Sequence, residues 1–243
     1  QARLALLANY ERSRDWALAA QVAEKLDQTE PGSFSHRLAH YMCEQAATLS
    51  ADNQWDAAKQ LLVQAIVKAP DAARAQLDMA LLQTKMGHEA QAWQTLTDAV
   101  SSAPSAIPLI AQPLAALAVR CGRVKETCAQ MQALYVSNPS LDVLDAIVTL
   151  SSTDASAQIS ARDWYARHLE QEPSLVAATK WIAGEKLEHE QFHPQVQRAL
   201  DHATKPLLRY RCAACGFEAT QHFWQCPGCQ TWDSYPARRV EEL

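Results

Sequence analysis

Apolar and polar positions follow a helical period through most of the chain. Ala58, Leu62 and Ala65 recur three to four residues apart, and Pro70 closes the segment. That spacing puts an apolar stripe on one face of a helix. The stripe returns 34 residues later as Ala92, Leu96 and Ala99, closed by Pro104. An earlier copy reads Trp16, Ala19, Ala23, Leu26 and Pro31, and a later one reads Ala161, Tyr165, His168 and Pro173. A weaker copy after Gly122 carries Thr127, Met131, Leu134 and Pro139. The five prolines are spaced by 39, 34, 35 and 34 residues. Proline lacks an N–H and pushes its predecessor out of the helical region, so each one marks a helix end. Upstream, Gln54-Trp55-Asp56-Ala57 and Gly87-His88-Glu89-Ala90 read as turns between paired helices.

A 34-residue helix–turn–helix unit with small residues at fixed places is the tetratricopeptide (TPR) pattern. Alanine at a helix crossing lets two backbones approach closely. One such pair cannot bury its apolar face alone, whereas stacked pairs share a continuous core. The expected fold is an all-α TPR solenoid, a helix–turn–helix superhelix, over residues 1–175. Capping helices are expected over 176–204, where Leu187, Phe192, Val196 and Leu200 supply apolar positions and Lys205-Pro206 ends the pattern. Such a superhelix has a concave face, which takes peptides or proteins. Segments Leu38–Leu49, Ala72–Met86 and Leu109–Arg120 are the candidates to line it.

From Leu207 the texture changes. Helical periodicity stops, and Tyr210, Phe217, Phe223, Trp224, Trp232 and Tyr235 crowd together. Cys212-x2-Cys215 and Cys226-x2-Cys229 are separated by ten residues. Two thiols three apart on a tight turn aim at one point, and two such turns face to face make a tetrahedral site of four sulfurs. Gly216 and Gly228 are the residues expected to supply left-handed backbone, with Pro227 stiffening the second turn. Residues 205–243 are therefore expected to form a small rubredoxin or zinc-ribbon-like β knuckle. It would hold one iron or zinc ion on Cys212, Cys215, Cys226 and Cys229. A segment this short needs a metal to stabilise it. With four protein ligands the site is closed to substrate, so it is structural, or an electron-transfer centre if iron is bound.

Composition narrows the picture. Nearly half of the 243 residues are apolar, only 6 are Gly, and the net charge is −5. Abundant Ala, Leu and Gln favour helix. No basic stripe invites nucleic acid, and residues 205–243 carry only +1. The aromatics there are expected to shield the metal and pack the knuckle on the helices. No stretch reaches the ~20 apolar residues of a membrane span. The chain opens at Gln1 inside a helical pattern, which reads as an amino-terminal truncation. Seven cysteines, four of them clustered, fit a reducing compartment. Cys43, Cys121 and Cys128 read as buried apolar residues. His189-Glu190-Gln191-Phe192-His193 is a literal H-E-x-x-H, which on a helix can share a zinc ion. Pro194 follows it directly, no third-ligand motif lies downstream, and no strands flank it, so it reads as a polar stretch on a capping helix. No catalytic residue is assigned.

The order of repeats and knuckle is unusual. The tail reads Lys205-Pro206, Tyr210-Arg211-Cys212-Ala-Ala-Cys215-Gly216-Phe217, Trp224-Gln-Cys226-Pro227-Gly-Cys229 and Trp232. It resembles the end of the lipopolysaccharide assembly protein B (LapB, also YciM) family of Gram-negative bacteria. Leu207-Leu208 are two extra residues relative to that pattern. The resemblance implies an adaptor without enzymatic activity on the cytoplasmic face of the inner membrane, anchored by an N-terminal helix that this chain lacks. It would present the deacetylase that commits precursors to lipid A to the membrane protease FtsH, alongside inner-membrane regulators of lipopolysaccharide. It also implies a rubredoxin-type domain packed on the repeats, binding iron or zinc. A rubredoxin-type electron carrier and a generic protein-binding TPR scaffold are the competing readings.

Overall fold

The computed structural model describes residues 2–153, 159–184 and 192–243. The chain forms two compact units, residues 1–106 and 107–243.

The first unit is three helical hairpins: α1 (Ala2–Ser13) with α2 (Trp16–Asp27), α3 (Ser35–Ala51) with α4 (Trp55–Lys68), and α5 (Ala73–Lys85) with α6 (Glu89–Ser102). Each helix packs on its sequence neighbours, and α3 also packs on α5. This is the stacking that TPR repeats require. The hairpin turns share one geometry. Arg14, Asn53 and Gly87 have φ of 57°, 61° and 80°. The next residue donates its N–H to a carbonyl five positions back: Asp15 to Tyr10, Gln54 to Leu49 and His88 to Gln83, at 2.8–3.0 Å. These are Schellman-type closures of the first helix. Each left-handed residue precedes its repeat's proline by 17 positions, so turns and prolines report one register. The long first interval comes from the connection before α3 and from the 17 residues of α3 itself.

The repeated small residues sit where the helices cross. Ala19, Ala23, Ala58, Ala65, Ala92 and Ala99 are fully buried, and Leu62 and Leu96 fill the space beside them. Between hairpins, the buried Asp27 carboxylate accepts from Lys68 Nζ at 2.7 Å and from the Phe34 N–H at 2.9 Å. The Lys68 hydrogen bond is the main reason its carboxyl lies below the usual carboxylate range. Tyr41, fully buried, donates to Glu11 at 2.5 Å and stacks on Trp16.

The second unit continues the pattern with α7 (Ile107–Arg120), α8 (Val124–Ser137), α9 (Leu141–Thr153), α10 (Ala161–Gln171), α11 (Leu175–Ala183) and α12 (His193–Thr204). Gly122 has φ 68°, and Arg123 closes its turn onto Ala118 at 2.8 Å. Thr127 and Met131 occupy the positions of Ala92 and Leu96 and are fully buried, so the degraded copy keeps these two positions in the core with different side chains. In the following copy Tyr165 and His168 are buried, and His168 Nδ1 lies 2.6 Å from the Tyr135 hydroxyl. α7 runs through Pro113, which faces solvent. No single helix among the described residues is long and apolar enough to cross a membrane.

Two expectations need correction. Cys43 is buried, but Cys121 and Cys128 are only half-buried; Cys128 lies beside Gln132 and Ser151 near the surface. Phe192, just before α12, and Val196 within it are exposed, and Leu200 is half-buried. Leu187 lies outside the described residues.

Candidate metal centre

After α12 ends at Thr204, the chain makes two knuckles that are copies of one another at a 14-residue offset. In the first, Cys212 N–H donates to Phe217 O at 2.9 Å and Gly216 N–H to Cys212 O at 2.8 Å. In the second, Cys226 N–H donates to Thr231 O at 2.9 Å and Gln230 N–H to Cys226 O at 2.8 Å. The residue after each second cysteine is left-handed: Gly216 at φ 78° and Gln230 at φ 59°. The left-handed role expected of Gly228 thus falls to Gln230. Gly228 instead leaves room for an aromatic ring, since a Cβ there would lie 3.4 Å from Phe217 Cδ2. A short antiparallel ladder, β1 (Tyr210–Arg211) with β2 (Glu218–Ala219), closes the first turn, and a bridge between Gln225 and Trp232 closes the second.

The ligand atoms of Cys212, Cys215, Cys226 and Cys229 lie within 4.8 Å of one another. Cys212 Sγ is 3.8 Å from Cys229 Sγ, and Cys215 Sγ is 3.7 Å from Cys226 Sγ. A tetrahedron with metal–sulfur bonds of about 2.3 Å has edges of about 3.8 Å, so the donor set fits such an ion. Cys212 and Cys226 face inward and are buried, whereas Cys215 and Cys229 face solvent.

The surroundings favour thiolates at specific sulfurs. Burial opposes ionisation of Cys212. The Ser234 hydroxyl at 3.2 Å and the amides of Cys215 and Ala214 outweigh it and bring the thiol down to about 6. The Thr231 hydroxyl, 3.3 Å from Cys229, and the Thr231 amide lower Cys229. The Phe217 amide also pulls Cys215 down, but desolvation and the other three thiols win and push it up to about 12. Four sulfurs this close compete for the same protons. A divalent ion would remove that conflict.

An aromatic shell surrounds the inner side. Tyr210, Trp232 and Tyr235 are buried, while Phe217 is exposed over the second knuckle. His222, which drew no attention in the sequence, is the hub of this shell. It makes edge contacts with Tyr210, Trp224 and Tyr235, and its Nε2 lies 3.1 Å from Tyr235 O. The knuckle core reaches Leu109 of α7.

The C-terminal segment ties this core to the helices. Arg239 meets Asp142 of α9 with two hydrogen bonds, at 2.9 Å from Nε and 2.8 Å from Nη2. It also donates to Leu208 O and lies 4.2 Å over the Tyr210 ring. Arg238 donates to Pro139 O at 3.1 Å and to Asn138 Oδ1. Glu242 accepts from the Leu141 N–H, the first of α9, at 2.9 Å. Glu241 accepts from the Leu175 and Val176 N–H groups at the start of α11, at 2.7 and 3.1 Å, and from Ser174 Oγ. Burial raises the Glu242 carboxyl, with the Leu141 and Arg239 amides opposing it. These contacts were not foreseen, because the segment's charges look self-compensating in sequence.

Of the H-E-x-x-H residues, His189, Glu190 and Gln191 lie outside the described residues. His193 starts α12, with Nε2 3.3 Å from Ile182 O.

Fold and site together define a class: TPR-type helical repeats carrying a four-cysteine knuckle able to hold a metal. Residues 210–235 match the family model described as a rubredoxin metal binding domain, of the LapB zinc-ribbon type. Over 98% of its length the chain is 24% identical to lipopolysaccharide assembly protein B of Escherichia coli K12, covering 62% of that protein. The Haemophilus influenzae protein of the same name is 23% identical over 94% of this chain and 59% of its own length. The chain thus spans about three fifths of the curated relatives it matches. A tetratricopeptide repeat protein from Parabacteroides merdae aligns over 84% of this chain and 77% of its own, with 9% identity and a TM-score of 0.47.

Proposed function

We propose that this chain is the TPR and metal-knuckle portion of a non-enzymatic adaptor that limits lipopolysaccharide synthesis at the inner membrane. The observation that carries the reading is similarity along nearly the whole chain, repeats and knuckle together, to proteins named lipopolysaccharide assembly protein B. Cys212, Cys215, Cys226 and Cys229 ligate one zinc or iron ion in a closed site, and residues 205–243 act as one metal-stapled domain. Four protein ligands leave no position for substrate, so the ion supplies structure and not catalysis. The repeats and knuckle offer docking surface. In the proposed role they bring the lipid A pathway deacetylase to the membrane protease FtsH on the cytoplasmic side.

Crosslinking in membranes followed by purification of the full-length protein tests this. Recovery of both the protease and the deacetylase is the expected result. Recovery of neither, with normal lipopolysaccharide control by a Cys212→Ser/Cys215→Ser variant, sinks the reading.

The exposure of Cys215 and Cys229 favours one second reading, electron exchange through an iron centre. Protein isolated from its native host carrying stoichiometric zinc and no visible absorption would end it.

A further inference from the structure

The tail after the knuckle belongs to two structures at once. Its front is part of the metal-knuckle fold: Ala213 N–H donates to Ser234 O at 2.7 Å, and Ser234 Oγ lies 3.2 Å from Cys212 Sγ. Its rear caps helices: Glu242 takes the first N–H of α9, and Glu241 takes the first two of α11. Between them, Val240 N–H donates to Arg209 O and Glu241 N–H to Leu207 O, which pins the tail along the strand entering the first knuckle. Arg239 crosses from that strand to Asp142 of α9, stacked on Tyr210, two residues before Cys212.

We infer that residues 238–242 are a clasp that couples metal loading of the knuckle to the N-terminal capping of α9 and α11. The inference rests on the reading of the four cysteines as metal ligands. The first amides of a helix have no partner within it and need an acceptor. Here the acceptors come from more than 60 residues away, on a segment placed by the knuckle. A knuckle without its ion loses the facing of its two turns and hence the path of residues 234–242. The carboxylates then leave the helix starts, and the first turns of α9 and α11 loosen. Coupling is reciprocal, so breaking the clasp from the helix side must weaken metal retention by the same factor that metal strengthens the clasp.

Asp142→Asn separates these outcomes, because Asp142 lies on α9 and touches no cysteine. The whole chain is loaded with zinc, and its metal content and zinc affinity by competition with a chromophoric chelator are measured. Amide exchange at Leu141, Leu175 and Val176 is followed with and without chelator. The expected results are one zinc per chain, faster exchange at these three amides after chelation, and zinc affinity reduced about tenfold in Asp142→Asn, within the usual range of coupling. Glu241→Gln, which keeps an acceptor, is expected to show a smaller loss. Stoichiometric zinc with unchanged exchange after chelation, or unchanged affinity in Asp142→Asn, overturns the clasp and leaves the metal site standing. Absence of bound zinc in the unmodified chain overturns both.

Discussion

Arg239 and Asp142, 97 residues apart, share two parallel hydrogen bonds at 2.8 and 2.9 Å. Both are largely shielded, with side chains 21% and 9% exposed. Asp142 also lies in the first turn of α9, where the helix dipole favours a negative charge. The guanidinium carbon of Arg239 also lies 4.2 Å over the Tyr210 ring. Lysine has no planar fork to make the two parallel hydrogen bonds. Arg239→Lys should therefore cost about 2 kcal/mol, the scale of hydrogen bonds to charged groups. Urea unfolding followed by near-ultraviolet circular dichroism of the knuckle aromatics reads it. A loss below a few tenths of a kcal/mol would show that the pair is only a surface contact.

The hairpin turns make a prediction of opposite signs. Gly87 sits at φ 80° with open space around it, so Gly87→Ala meets no clash and only backbone strain. The left-handed penalty for an L-residue is about 1–2 kcal/mol. Arg14 already stands at φ 57°, so Arg14→Gly should recover up to about 1 kcal/mol of the same term, less the entropy that glycine adds to the unfolded chain. Thermal unfolding of the two variants against the parent decides it: the first falls and the second does not.

Cys212→Ser should abolish metal retention through gel filtration, measured by elemental analysis. The near-ultraviolet signal of Trp224 and Trp232 should collapse, while the helical far-ultraviolet signal largely persists. The helices bury their own alanine and leucine core, whereas the knuckle relies on the ion. Loss of the whole helical signal would refute that division.

Asp27 sets a pH dependence. Its carboxyl is held below its ordinary value chiefly by Lys68. The folded state therefore binds protons there less readily than the unfolded state. The stabilisation is present in full above the ordinary carboxylate value of 3.8 and is lost as pH falls through the lower folded value. The stability deficit of Asp27→Asn should be largest near neutrality and shrink below about pH 4. A deficit that stays constant down to pH 2 would exclude the ion pair as its source.

What the sequence determined was everything encoded locally. The repeat register was legible because, after a first interval of 39, alanine spacing, proline stops and turn residues recur every 34 or 35 residues, and the turns at Asn53, Gly87 and Gly122 follow it. The pairing of Cys212 with Cys215 and of Cys226 with Cys229 was legible because three-residue spacing on a tight turn fixes where two thiols point. Even there the reason assigned to Gly228 was misplaced, since the left-handed residue is Gln230 and the glycine serves the Phe217 ring. The tertiary structure alone decided where the charges after Tyr235 go. In sequence the charges of Arg238, Arg239, Glu241 and Glu242 cancel. In the fold each reaches a partner on a helix or on the α8–α9 connection that lies 65 to 101 residues away. No local period encodes such contacts. They arise because helix starts leave amides without acceptors, and only chain packing determines which distant carboxylate arrives to take them.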